Sequence, residues 1–263
     1  MTRACWGAGL LMTVVCGALG WAPTVRAEPS SAERLCSEVR GGWNEGAETC
    51  TLISRNSTGG DMKATAKYSS ELLDDPVMGP TSTDNARKFL RQFSTVDEGY
   101  IRSSEATLDY ARYERAPTST SVLFKYYTFF GGAAHPNTAL STFTFDLTQG
   151  KRLQLGDLFC GGANPDRVLP RYARPYLQKE IDKLNANRPA GNSPLTVDEF
   201  EPLPAGSAHR HTYVDSYDAW LLDGDALLLF LPSARLGPVG AGLFEIRVPL
   251  STLQPVLRES CAV

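Results

Sequence analysis

The chain has 263 residues, 42% hydrophobic and 21% charged, with 23 Gly, 17 Pro and 6 Cys. That balance belongs to a globular protein and excludes collagen-like, fibrous and long disordered chains. Its 26 basic and 29 acidic residues give a net charge of −3, so no basic surplus exists to neutralise phosphates and nucleic acid is excluded as a partner.

The N-terminus reads as a signal peptide. Arg3 supplies a positive start, Trp6 to Leu19 carries no charge, and Val25-Arg26-Ala27 places small residues at −3 and −1 of a cleavage site before Glu28. The apolar stretch is shorter than the ~20 residues a membrane span needs. Cys16 follows Val15, where a lipobox wants a small residue. Residues 1–27 are therefore expected to be removed, leaving a more acidic protein without an integral membrane segment. That protein is secreted or extracellular, either free or wall-associated. Cys36, Cys50, Cys160 and Cys261 remain, and an even count in an exported chain favours disulfides. The short spacing of Cys36 and Cys50 pairs them locally, which leaves Cys160 for Cys261. A zinc site is the weaker alternative, since no C-x-x-C spacing occurs.

From Glu28 onward the pattern predicts a helical turn over Ser31–Val39, then strands over Thr49–Arg55 and Met62–Tyr68. A Pro/Gly stretch follows (Asp75–Pro80), and Thr83 or Asp84 caps a helix reaching about Val96, with Ala86, Phe89, Leu90 and Phe93 on one face. Ser104–Arg115 reads as a strand. Ala116–Ser121 is the best candidate boundary, dividing a β-rich region with one helix (28–118) from an α+β region (119–263), although the two can pack as one unit. Val122–Phe130 is β-branched and aromatic on both faces, as in a central strand, and Thr138–Leu147 alternates as a half-buried antiparallel one. Asp166–Asn187 is the longest helix, with Leu169, Tyr172, Tyr176, Ile181 and Leu184 as its buried stripe and Pro170 and Pro175 inside it. A hairpin joins Tyr213–Leu222 to Ala226–Leu231 around Asp223-Gly224. Leu243–Val248 is a last strand, and Ser251–Glu259 a closing helix capped by Ser251. The fold class is α+β: a mostly antiparallel sheet covered by helices and stapled by disulfides.

No motif carries recognisable catalysis, so no catalytic residue is assigned. G-x-S-x-G is absent; its nearest relative, Gly206-Ser207-Ala208-His209, lacks the second glycine and a preceding strand. The three histidines are His135, His209 and His211. The last two, two residues apart, would share one side of an extended segment, yet H-E-x-x-H and calcium-loop spacings are missing and solvated loop histidines are the simpler reading. The acidic groups Glu71/Asp74/Asp75 and Asp198/Glu199/Glu201 read as solvated surface rather than glycosidase carboxylates. Gly131-Gly132 and Gly161-Gly162 match no nucleotide-binding loop, and no cofactor is implied. The binding candidates are Trp43, a sugar platform inside the Cys36–Cys50 loop unless it packs beneath the disulfide, and His135-Pro136-Asn137 in a glycine-rich turn.

The segment Val122-Leu123-Phe124-Lys125-Tyr126-Tyr127 leading into Gly131-Gly132-Ala133-Ala134-His135-Pro136-Asn137-Thr138 resembles the secreted mycobacterial immunogenic proteins of the MPT/MPB antigen type. Their C-terminal module is shared with the RsiV-type extracellular domain of bacterial anti-sigma factors. The likeness continues through Phe145-Asp146-Leu147, Leu155-Gly156-Asp157-Leu158-Phe159, Asp223-Gly224-Asp225-Ala226-Leu227 and Val248-Pro249-Leu250-Ser251. Cys36 and Cys50 look like the family's N-terminal disulfide. Ala133 departs from the family's glycine, and Cys160 and Cys261 are additional. The resemblance implies an α+β fold and export, and makes residues 119–263 the RsiV-type domain. It transfers no catalytic residue. RsiV-type receptors bind lysozyme but hang from a membrane segment and a sigma-binding region, so their signalling role is not expected. The function expected is an extracellular, antigen-like binding protein whose ligand is a protein or a cell-envelope glycan. The alternative is a wall-associated serine esterase with a non-standard Ser/His site.

Overall fold

The computed structural model describes residues 28–95, 102–161, 163–188, 191–200, 217–231 and 244–261. The leader (1–27), Val96, the Gly206–His211 segment with both of its histidines, and Tyr213 lie outside the described residues.

The chain begins with α1 (Ser31–Glu38), where the Ser30 hydroxyl accepts from the Glu33 N–H at 3.1 Å and so caps the first turn. Strands β1 (Gly42–Asn44), β2 (Thr49–Arg55) and β3 (Asp61–Lys67) form a meander. Helices α2 (Ser70–Asp74) and α3 (Gly79–Gln92) follow. They carry the chain across the sheet to β4 (Ser104–Arg115), which lies parallel to β3 because a crossover replaces a hairpin. Strands β5 (Ser119–Phe129), β6 (Asn137–Asp146) and β7 (Lys151–Leu153) complete a seven-stranded sheet in chain order, antiparallel everywhere except β3–β4. After the 22-residue α4 (Pro165–Ala186), strands β8 (Trp220–Asp223), β9 (Ala226–Leu231) and β10 (Phe244–Pro249) make a small antiparallel sheet, and α5 (Leu250–Leu253) ends in two 3-10 turns. This is the α+β architecture expected. Both disulfides pair as expected, with Cα–Cα distances of 5.5 Å for Cys36–Cys50 and 5.7 Å for Cys160–Cys261.

Four readings change. Helix α3 starts inside the Asp75–Pro80 stretch, not at Thr83, because Pro80 suits the first helical turn and the Asp75 carboxylate accepts from the N–H groups of Val77 and Met78 at 2.8 and 2.7 Å. The buried stripe of α4 is Leu169, Ala173, Leu177 and Ile181, each four residues on from the last; Tyr172, Tyr176 and Leu184 flank it, half-buried. The closing helix stops at Leu253, since Pro255 has no N–H to continue it. Ala116–Ser121, read as a boundary, holds a tight hairpin turn and the start of β5: β4 and β5 pair from Arg115↔Ser119 to Glu105↔Phe129.

Two hydrophobic cores result. The first lies between α1–α3 and one face of the main sheet, and includes both sulfurs of Cys36–Cys50, Tyr68, Phe89, Phe124 and Phe145. A side chain at Gly41 would collide with that disulfide, its Cβ coming 2.6 Å from the Cys50 Sγ. The second core packs α4 and the C-terminal segment on β8–β10. Leu123 joins the small sheet to the main one through Leu221, Leu228 and Phe230. The Leu222 N–H donates to the Ser121 hydroxyl at 3.2 Å, and the Trp220 N–H to that of Thr142 at 2.9 Å.

Candidate functional site

Strand alternation assigns the second face of the main sheet. Leu52, Ala64, Ala106 and Leu108 point into the first core, so their neighbours along each strand turn to the other side. Where β8 and β9 do not cover it, that side presents three rows. The middle row runs Thr51, Thr65, Thr107, Tyr127 and Thr138 in register across five strands. Toward the β5–β6 turn lies the row Ile53, Lys63, Glu105 and Phe129. On the opposite side are Thr49 beside Lys67, and Asp109, Lys125 and Leu140. Thr107, Thr138 and the charged members are exposed, Ile53 is 62% exposed, and Tyr127 and Phe129 are half-buried.

Charge on this face is locally balanced, because Lys63 neighbours Glu105 and Asp109 neighbours Lys125 in register. The Tyr127 hydroxyl feels the Glu105 carboxylate on the neighbouring strand. Partial desolvation, reinforced by the Glu105 charge, pushes its phenol up, so the hydroxyl stays neutral. Tyr127 and Phe129, two residues apart on β5, place two rings on the same surface. The arrangement offers a row of hydroxyls beside two ring faces, the chemistry that pairs with polyhydroxylated molecules.

The predicted residues divide between two places. His135 and Pro136 lie in the β5–β6 turn and Asn137 opens β6, at the rim of the open face. That turn is closed by the Ala133 N–H donating to the Phe130 carbonyl at 2.8 Å and by the Gly131 N–H donating to the Ser104 hydroxyl at 2.9 Å, with Gly132 at φ 98°. His135 is exposed, its Nδ1 3.3 Å from its neighbour Pro136's carbonyl oxygen. Trp43 is elsewhere. It shares its row with Cys50, Ala66, Leu108, Tyr126 and Ala139 on the helix side, about 24 Å across the sheet from β6. It stacks on Tyr68 at 5.3 Å, and its indole N–H donates to Glu45 at 2.6 Å. Sequence reasoning missed the open face. Its signal was the outward threonines at alternate positions, but their alignment depends on the parallel β3–β4 register.

Among the described residues, no three His, Cys, Asp or Glu side chains gather to hold a metal, and no helix is long and apolar enough to cross a membrane.

Fold and site thus define a disulfide-stapled α+β protein with one face of its principal sheet partly open. No family model and no curated protein matches the sequence. Solved structures that align with the chain include two DUF3298 family proteins. A DUF3298 family protein from Pseudomonas aeruginosa PAO1 aligns with TM-score 0.42 and 15% identity, over 81% of this chain and 94% of that one. A DUF3298 family member from Bacteroides fragilis NCTC 9343 aligns with TM-score 0.47 and 11% identity, over 80% and 91%.

Proposed function

We propose that the protein is exported and binds a cell-envelope glycan on the open face of its main sheet. The leader and the two disulfides support export, since such bridges persist in oxidising compartments. The observation that carries the binding reading is the in-register row of Thr51, Thr65, Thr107, Tyr127 and Thr138, with Phe129 beside it. Threonine hydroxyls donate and accept, and aromatic faces stack on the apolar faces of sugar rings. Size favours a glycan over a folded protein. Five strands and three rows span about 19 Å by about 14 Å, well short of the ~800 Å² per partner of a stable protein interface. The resemblance to secreted mycobacterial antigens fits export. His135–Asn137, at the rim, would contact the chain of sugars beyond the threonine row.

Retention of the protein on insoluble peptidoglycan and on mannan, with lysozyme-coated resin as the protein arm, tests this. Binding to a glycan is expected, weakened about tenfold by Tyr127→Ala together with Thr107→Val. Retention on lysozyme alone, or glycan retention indifferent to both substitutions, would overturn it. Ester hydrolysis abolished by changing His135, His209 or His211 to Ala would replace it with the hydrolase reading.

A further inference from the structure

A second site lies at the other end of the main sheet, away from the open face. The β4–β5 turn, the end of β6 and the C-terminal segment enclose a cleft of about 270 Å³. For scale, an apolar cavity of about 150 Å³ accepts benzene. Leu222, Leu257, Leu153, Leu158 and Leu250 supply its apolar lining, the first two buried and the others half-buried against the second core. Within its polar lining, Arg115, Ser119 and Asp146 form one cross-strand row, in register on three neighbouring strands, while Asp157 and Arg258 on the far wall pair with each other at 3.7 Å.

Each member of that row is set differently. Ser119 is 4% exposed, and its hydroxyl has no hydrogen-bond partner although it lines the cleft. An unpaired buried hydroxyl destabilises a fold, so its retention beside a cavity points to a ligand atom as its partner. Asp146 is held rigid. Its Oδ1 accepts from the N–H groups of Thr148 and Gln149 at 2.8 and 3.0 Å and from the Thr148 hydroxyl at 2.6 Å, contacts that keep its carboxyl below the ordinary range and therefore charged. Arg115 is occupied by a carboxylate already, because Glu259 accepts from its two terminal nitrogens at 3.2 and 3.4 Å. Glu259 is 69% exposed and easily displaced. It sits on the segment that Cys160–Cys261 fastens down.

We infer that this cleft binds a small aliphatic zwitterion of the α-amino acid class, with its carboxylate on Arg115, its ammonium on Asp146, its side chain on the leucines and the Ser119 hydroxyl between the charges. Two strand spacings separate Arg115 from Asp146 by about 10 Å. Two charge-assisted contacts of about 2.8 Å, flanking charges about 3 Å apart in the ligand, reach about 9 Å, comparable with that backbone separation. The five leucines suit an aliphatic side chain. Glu259 is an internal stand-in for the ligand carboxylate and competes with it.

NMR titration of the ¹⁵N-labelled protein with L-leucine, 4-methylpentanoate and 3-methylbutylamine, following the Thr118 and Ser119 amides, tests the assignment. Saturable shifts are expected with L-leucine, and at least tenfold weaker binding of the two single-charge analogues. Arg115→Gln abolishes the response. Ser119→Ala weakens it about tenfold without lowering the urea midpoint, and Glu259→Gln strengthens it. No saturable response to L-leucine, equal binding of either analogue, or a Glu259→Gln dissociation constant no lower than wild type would overturn the proposal. So would Ser119→Ala destabilising the fold while leaving binding intact.

Discussion

Tyr68 is fully buried beneath Trp43, and its hydroxyl has no hydrogen-bond partner. Burial first, and the Glu38 charge second, push its phenol well above the ordinary tyrosine range. The sign follows directly: burial favours the neutral form, so the stability it contributes is complete below about pH 10, where an unfolded tyrosine is also neutral. Above that pH the unfolded chain loses the proton and the folded one does not, and stability falls at about 1.4 kcal/mol per pH unit for this group. Tyr68→Phe loses no internal hydrogen bond, so it should equal or exceed the wild type at pH 8. It should also fall less steeply between pH 10 and 11. Urea midpoints of both proteins at pH 8 and 10.8 check this, and a variant less stable at pH 8 would show that the hydroxyl has a partner after all. Alternation in the sequence placed Tyr68 at the end of a strand. Its ring stack was illegible there, because the partner comes from β1, three residues long and without a period of its own.

Among elements, α3 shows what governs legibility. Its apolar face was readable from Ala86, Phe89 and Leu90, but its start was hidden by a Pro/Gly stretch that resembles a loop. The Asp75 carboxylate resolves the ambiguity by taking the Val77 and Met78 N–H groups, while its own carbonyl accepts from Gly79 at 2.8 Å. Asp75→Ala should therefore cost about 1 kcal/mol in urea denaturation, and Asp75→Asn only part of that, since an amide oxygen still accepts. An unchanged midpoint for the alanine variant would mean that Pro80 alone starts the helix. Strands with strong alternation or apolar runs were read closely, Ser104–Arg115 and Ala226–Leu231 at their observed bounds. The three-residue β1 and β7 and the five-residue α2 were not, because none is long enough to display periodicity. The same limit hid the open face. Each outward threonine was visible in its own strand, but the row exists only because α2 and α3 return β4 parallel to β3. Register of that kind is set by tertiary packing rather than by a turn.

At the scale of the whole molecule, two cores meet where the small sheet packs on the main one. Leu123, buried to 1% exposure, is the main-sheet residue of that contact, packed against Leu221, Leu228 and Phe230 and flanked by Tyr113 and Leu140. Leu153 of β7 also packs against the second core, and polar ties add to these: the Leu222 N–H to Ser121, the Trp220 N–H to Thr142, and the Gly224 N–H to the Glu114 carbonyl at 3.0 Å. Tryptophan placement makes the coupling measurable. A chain beginning at Glu28 holds Trp43 at the edge of the first core and Trp220 in the second, with no other tryptophan. Trp43→Phe and Trp220→Phe variants of it then report one core each. With Leu123 intact, the two midpoints in urea should coincide, as they do when a molecule unfolds as one cooperative unit. Leu123→Ala leaves a cavity where the sheets meet and should remove about 2–5 kcal/mol of packing. Because that loss falls on the contact and not within either core, the Trp43 and Trp220 midpoints should separate. Separate midpoints before the substitution would show that the cores are already independent. Coincident midpoints after it would shift the coupling to the polar ties, with Ser121→Ala the next residue to change.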